Sequence, residues 1–257
     1  MKTSFTAHAT EETAPPLNAA LPIVGENGVT PGATALAVQP PRTMSLFGGG
    51  QVEGQVDRSD IKLPRVNLVQ KAGKLGDDFK AGAVVLAREV LLSDGSSPVN
   101  VIILSIRKQY QESLPYDEAG PTPKLLDTAE QVLEAGGSLQ FGDDNLYKEM
   151  ATALCLVEAP AGANQDVLDS YFFYEADGKA YCMALWTFAG SAYNHAAKKL
   201  ITAGTYGHLK DGYTKGNWAF TTEKRVWNGN TFYVPNPKPA GRTTPEFQEW
   251  AHALVNR

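Results

Sequence analysis

Apolar and polar residues follow three different rhythms along this chain. Up to about residue 58 there is almost none. Ala, Pro, Thr and Gly dominate, with Ala14-Pro15-Pro16 and Gln39-Pro40-Pro41-Arg42 among them. So little periodic apolar surface cannot offset the entropy of ordering a chain. This predicts a disordered arm over 1–58 and one globular domain over 59–257. Met44-Ser45-Leu46-Phe47-Gly48-Gly49-Gly50 is the apolar exception in the arm. It reads as a docking segment, an alternative start or a sticky spot in a linker.

Beyond residue 60 the period falls to two, the repeat of a strand. Val66–Gln70 alternates, and Ala81–Ala87 is a short buried run, with Asp94-Gly95-Ser96-Ser97 as a turn after it. Val99–Gln111 is the clearest strand. Strict alternation puts Val101, Ile103, Ser105 and Arg107 on one face. Ile102, Leu104, Ile106, Lys108 and Tyr110 fall on the other. Both faces turn polar late, so the strand is expected to carry Arg107, Lys108 and Tyr110 out to the rim. Thr152–Glu158, Tyr171–Glu175 and Lys179–Phe188 read as further strands, the last two joined by a tight turn at Asp177-Gly178. Asn217–Trp227 and Thr231–Val234 form a second hairpin through Asn228-Gly229-Asn230, with Asn236–Pro239 as a loop.

Helical spacing is the third rhythm. Asp127–Ala135 is capped by Asp127 or Thr128 and ended by Gly136-Gly137. Ser191–Ala203 stops at Gly204. Its apolar stripe is Tyr193, Ala196, Ala197, Leu200 and Ile201, and His195, Lys198, Lys199 and Thr202 lie opposite. Thr244 caps a last helix with Pro245 at its first position and Phe247, Trp250, Ala251 and Leu254 inside. Short strands with a few inserted helices predict a mainly β or α+β barrel rather than alternating βαβ units.

Charge is unevenly spread. Residues 179–257 hold ten Lys and Arg against four Asp and Glu; the rest of the chain holds thirteen against twenty-four, for a net −5. All four Trp lie in that basic third. Rings interleaved with cations suit an unpaired polynucleotide, because rings stack bases and cations neutralise phosphates. Trp218, Phe220 and Trp227 are the expected stacking rings, with Tyr110 beside them. Arg107, Lys108, Lys198, Lys199, Lys215, Lys224 and Arg225 are the expected phosphate contacts. The competing reading makes Trp186, Phe188, Trp218 and Phe220 core residues and Lys198-Lys199 an ordinary solvated face.

Catalytic patterns are sparse. Gly48-Gly49-Gly50 lacks the Lys-Ser/Thr of a phosphate loop, and Ala189-Gly190-Ser191-Ala192 is not a nucleophile elbow. Asp77-Asp78 and Asp143-Asp144 are adjacent acids of the kind usually solvated; only acids converging from several strands would make a metal nuclease. Cys155 and Cys182 sit in apolar runs without CxxC spacing, which predicts buried free thiols and a reducing compartment. The start of the sequence lacks a secretory core, and no apolar run reaches the length of a membrane span. A soluble cytoplasmic protein without cofactors is expected.

Ile61–Gln70, then Ala184-Leu185-Trp186-Thr187-Phe188-Ala189-Gly190-Ser191-Ala192-Tyr193 and Ala196-Ala197-Lys198-Lys199-Leu200 together resemble single-stranded-DNA-binding proteins encoded by tailed phages and prophages. The resemblance spans about residues 60–240. It implies an OB-like, partly open barrel with a groove for single strands, acting in replication or recombination in the host cytoplasm. Its implied partners are single-stranded DNA, replication or recombination proteins reached through the N-terminal arm, and further copies of the chain, with no membrane. The chain departs from the pattern at its end, Trp250–Arg257, which is not an acidic tail. A virion or assembly protein working through protein contacts is the alternative.

Overall fold

The computed structural model describes residues 62–114 and 121–255; the expected arm over 1–58 lies outside them. Ten strands are present among the described residues. They are β1 (Arg65–Leu68), β2 (Val84–Leu86), β3 (Val90–Ser93), β4 (Val99–Glu112), β5 (Leu125–Leu126), β6 (Tyr147–Glu158), β7 (Tyr174–Ala176), β8 (Lys179–Ala189), β9 (Gly216–Trp227) and β10 (Asn230–Arg242). The helices are α1 (Leu75–Asp78), α2 (Ala129–Glu134), α3 (Gln165–Tyr171), α4 (Lys198–Thr205) and α5 (Pro245–Val255), with a turn of π pitch over Tyr193–Ala197 leading into α4. All strands join one sheet in the order β10-β9-β4-β6-β8-β1-β2-β3, with β5 on β4 and β7 on β8. Every pairing is antiparallel except β1 with β8. The fold is mainly β, with a few helices and a curled half-barrel sheet.

The inner face of the curl holds the main core. Val101, Ile103, Cys155, Ala184, Trp186, Phe188, Trp218 and Phe220 pack there against Tyr193, Ala196, Ala197 and Leu200 of the inserted helix. On the outer face α5 lays Phe247 and Ala251, flanked by Trp250 and Leu254, over Ile102, Leu104, Leu156 and Tyr181. Both stripes are those the helical spacing predicts. Thr128 caps α2 in a capping box with Gln131, and the Thr244 hydroxyl accepts from the Phe247 N–H.

Several elements depart from the sequence expectations. Gly204 does not end the helix, which runs on to Thr205; it is a contact glycine, since a Cβ there would collide with the Tyr213 ring. Tyr171 closes helix α3 instead of opening a strand. Asn236–Pro239 is strand, not loop. Proline is excluded from central strands but tolerated at a sheet edge, where its missing N–H would face away from the neighbour, and β10 is such an edge.

A bulge in β4 overturns the strict alternation. Opposite β6, Ile103 pairs with Cys155, but Ser105 pairs with Leu154, so one extra residue is accommodated there. An extra residue exchanges the two faces of everything that follows. Ile106, Lys108 and Tyr110 therefore lie opposite Ala153, Ala151 and Glu149 on the inner side with Val101 and Ile103, and Arg107 moves to the other side, opposite Thr152.

The curl brings β10 back to the β1 end, and one side chain joins them. The Gln70 amide donates to the Tyr233 carbonyl at 2.9 Å and its oxygen accepts the Tyr233 N–H at 2.9 Å, as a neighbouring strand would. Tyr233 thus points its backbone groups away from β9. Pro235, Pro237 and Pro239 share that direction by alternation, so each lacks a donor where no strand follows. Beside this clasp Gly82, at φ +95°, lets the Tyr233 ring approach within 2.9 Å of where a Cβ would stand.

Two outcomes follow from the clasp and the core. Gln70→Ala, which strands both Tyr233 backbone groups, is expected to lower urea stability by about 1–3 kcal/mol; Gly82→Ala is expected to destabilise too, because its φ and its space are both denied to alanine. Cys155 and Cys182 are free and buried. Burial pushes Cys182 from 9.0 up to about 12 and moves Cys155 the same way. The folded chain then keeps protons that an unfolded chain releases, so thiol ionisation erodes stability as pH rises from about 9 toward 12 and not below. A thiol reagent at pH 8 is expected to label neither cysteine until denaturant is added.

Candidate nucleic-acid interface

The eleven residues singled out from the sequence divide into four settings. The first is the inner rim, where β4, β6 and the start of α4 meet. Lys108 Nζ lies 2.6 Å from Glu149, and Lys198 Nζ lies 3.9 Å from the same carboxylate. Lys108 also stands over the Tyr110 ring at 5.0 Å, and Lys198 over Tyr193 at 5.5 Å. The π turn makes the second contact possible. Its backbone bond runs from the Lys198 N–H to the Tyr193 carbonyl, five residues back, which stacks those two positions. Burial works most strongly against the Lys108 charge, but the hydrogen bonds to Glu149 and Tyr110, with the nearby Glu149 charge and Tyr193, together outweigh it and hold the ammonium above its ordinary range. Burial, with Glu149 adding to it, also raises the Tyr193 hydroxyl above its usual value. Two cations on one carboxylate leave a net single positive charge, and exposed pairs of this kind are worth only about 0–1 kcal/mol. A phosphate can therefore compete for either lysine at small cost.

Tyr110 is half of that setting in an unexpected way. It is 8 % exposed, closed in by Val132, Tyr147 and Leu126 where α2 and β5 fold back over the strand end. It supports Lys108 and has no free face for a base.

The second setting is the β9–β10 hairpin. β4 pairs with β9 only from Asn217 to Phe220, so Thr221–Trp227 pairs with β10 alone. This two-stranded arm ends in a turn at Asn228-Gly229, both with positive φ. Trp227 is 71 % exposed and Val226 65 %. Glu223, Arg225 and Trp227 share one face, and Arg225 pairs with Glu223 at 2.9 Å. Lys224 is exposed on the other face opposite Tyr233, whose ring helps line a cleft of about 330 Å³ with Arg65, Gln70, Trp186 and Thr187.

The third setting is the core. Trp218 and Phe220 are 3 % and 1 % exposed, and Phe220 packs 4.4 Å from Trp186, centroid to centroid. The sequence reading that offers these two rings to bases is corrected. They sit on the β9 face that the inserted helix covers, and only the distal part of the strand emerges. The fourth setting is scattered cations. Arg107, turned outward by the bulge, is held by Asp127 through two guanidinium nitrogens at 3.1 and 2.6 Å. Lys199 donates to the Asn236 side chain at 2.7 Å. Lys215 is half-buried in a tight turn before β9. The positive groups form a rim set and an arm set, and Arg107, Lys199 and Lys215 belong to neither.

Glu149 is the neighbour of Lys108 and Lys198 that the sequence reading missed. Starting β6 at Thr152 hides it; extending the alternation back through Ala151 puts Glu149 on the same face as Ala153 and Cys155. The acid pairs do not converge. Asp77-Asp78 lies on α1 and Asp143-Asp144 in a turn. Among the described residues no three His, Cys, Asp or Glu side chains come together as metal ligands, and no helix is long and apolar enough to cross a membrane. Compared with family models, with curated proteins and with solved structures, the chain matches none.

The two kinds of ring separate cleanly in a denaturation experiment. Trp218→Ala and Phe220→Ala are expected to open cavities costing about 3–5 kcal/mol. Trp227→Ala is expected to leave stability within about 0.5 kcal/mol of the parent.

Proposed function

We propose that this chain binds single-stranded DNA without catalysing a reaction, in phage-type replication or recombination, and that its half-barrel is an OB-like, partly open barrel. The observation that carries the reading is Trp227, a large ring left in solvent at the tip of a hairpin, with Arg225 two positions back on the same face and Lys224 on the other. A ring in that setting is available to stack a base, at about 1–3 kcal/mol per base and with little sequence preference. Lys224 and Arg225 on the arm, Lys108 and Lys198 at the rim, and Lys199 and Lys215 around α4 supply phosphate contacts. The stacking platform is smaller than three rings, so affinity rests more on charge than on stacking.

A second reading is favoured by a different observation. Arg107, Lys108 and Arg225 all carry carboxylate partners already, and the apolar pair Val226 and Trp227 is exposed. A virion or assembly protein would use such an arm against another protein.

Titrating fluorescent oligo-dT at two salt concentrations tests the first reading. Binding is expected at low salt and is expected to weaken as salt rises, with a log–log slope of about −0.7 per phosphate contacted. Trp227→Ala should cost about 1–3 kcal/mol at either salt, and Lys224→Ala with Arg225→Ala should flatten the slope. Absence of binding at low salt, together with many copies of the chain in purified particles, would hand the function to the second reading.

A further inference from the structure

The two edges of the β9–β10 arm are treated differently by the sequence. On β10, outward backbone positions are Thr231 beside the turn, then Tyr233, satisfied by Gln70, and Pro235, Pro237 and Pro239. From Tyr233 on, that edge cannot accept another strand, which is how sheet proteins blunt an edge. On β9 the outward positions follow from the same register. Tyr233 faces Lys224 and Pro235 faces Thr222, so Thr222, Lys224 and Val226 turn their N–H and C=O groups away from β10. Phe220 and Trp218, earlier in the same series, lie where β4 pairs with β9. Beyond Phe220 β4 is absent. Among the described residues no strand takes up the backbone of Thr222, Lys224 and Val226, and no proline protects them.

We infer that this open β9 edge pairs with the same edge of a second copy of the chain, antiparallel and centred on Lys224. The charges fix the choice of occupant. A two-fold pairing centred on Lys224 places Glu223 of each copy across from Arg225 of the other, giving two complementary cross-strand pairs on one face. Thr222 then faces Val226 of the other copy, and the backbone groups of all three outward residues exchange hydrogen bonds across the axis. A shift of two residues either way sets Glu223 against Glu223 or Arg225 against Arg225. The one like-charge contact in the favoured register is Lys224 with its counterpart, whose long stems can splay into water. The Trp227 ring leaves a face of the arm, not its edge, so pairing leaves it open to solvent, while Arg225 serves Glu223 of the other copy as well as a phosphate.

Light scattering on the eluting full-length protein, without nucleic acid, tests the inference. A contact this small belongs to the weak, transient class, so the measurement is made at high protein concentration. The parent is expected to approach twice the 27.7 kDa chain mass. Lys224→Pro, which removes an outward donor and leaves the β10 ladder intact, is expected to elute as a monomer. Glu223→Arg and Arg225→Glu are each expected to be monomeric alone and to dimerise when mixed one to one. Each single variant still has like charges within its own strand, so only pairing between copies explains recovery on mixing. A monomeric parent at high concentration, a Lys224→Pro variant as dimeric as the parent, or charge variants that fail to recover on mixing would overturn the inference.

Discussion

The closure of the sheet rests on a single primary amide. The curl brings β10 near β1 without making them strand partners, and the Gln70 side chain stands in for the missing ladder. A primary amide sets an N–H donor and a carbonyl acceptor at the spacing of a peptide group, so it satisfies both outward groups of Tyr233 at once. The Tyr233 ring then lies against the bare Cα of Gly82, and the cleft beneath the clasp keeps Trp186 as part of its wall. Because β10 meets the segment after β1 at one point and not along a ladder, the half-barrel has a tight seam at Tyr233.

That geometry decides which of the aromatic residues are structural. The inserted helix fills the inside of the curl, so any ring pointing inward from β8 or β9 is consumed by packing: Trp186, Phe188, Trp218 and Phe220 form one contiguous group. Along β8 and β9, a ring reaches water only where β9 outruns its neighbour β4, at Trp227; the other exposed rings, Phe141, Phe173 and Tyr206, lie outside the strands. The same rule applies to charge. Cations near the sheet meet carboxylates on adjacent strands or on the connections, as Lys108 meets Glu149 and Arg107 meets Asp127. The excess positive charge of the last third is thereby divided between rim and arm.

Much of the architecture is legible in alternation and caps. The long strands, the Asp177-Gly178 and Asn228-Gly229 turns, the Thr128 and Thr244 caps and the inner stripes of two helices all follow from short-range chemistry. What the sequence hides is non-local. Nothing in Ile103-Leu104-Ser105 announces a bulge, because a bulge is defined by the partner strand, and missing it turns Arg107, Lys108 and Tyr110 the wrong way. Prolines at 235, 237 and 239 look like loop residues until the strand is known to lie at an edge. Alternation puts Trp218 and Phe220 together correctly but cannot say that a helix some twenty residues earlier covers that face. The counter-ions of Arg107 and Lys108 lie 20 and 41 positions away, too far for any spacing rule.

The turn of π pitch at Tyr193–Ala197 has a further consequence for how this surface can change. Such a turn is an α-helix carrying one surplus residue. The wider turn absorbs that residue, so deleting it would restore ordinary pitch and set Lys198 four residues after Tyr193 instead of five, still on the same face of the helix. The later side chains of α4 would keep their directions, with the strands untouched. The segment is thus a slack link, in which the length of the chain can change by one residue without re-aiming the cationic helix.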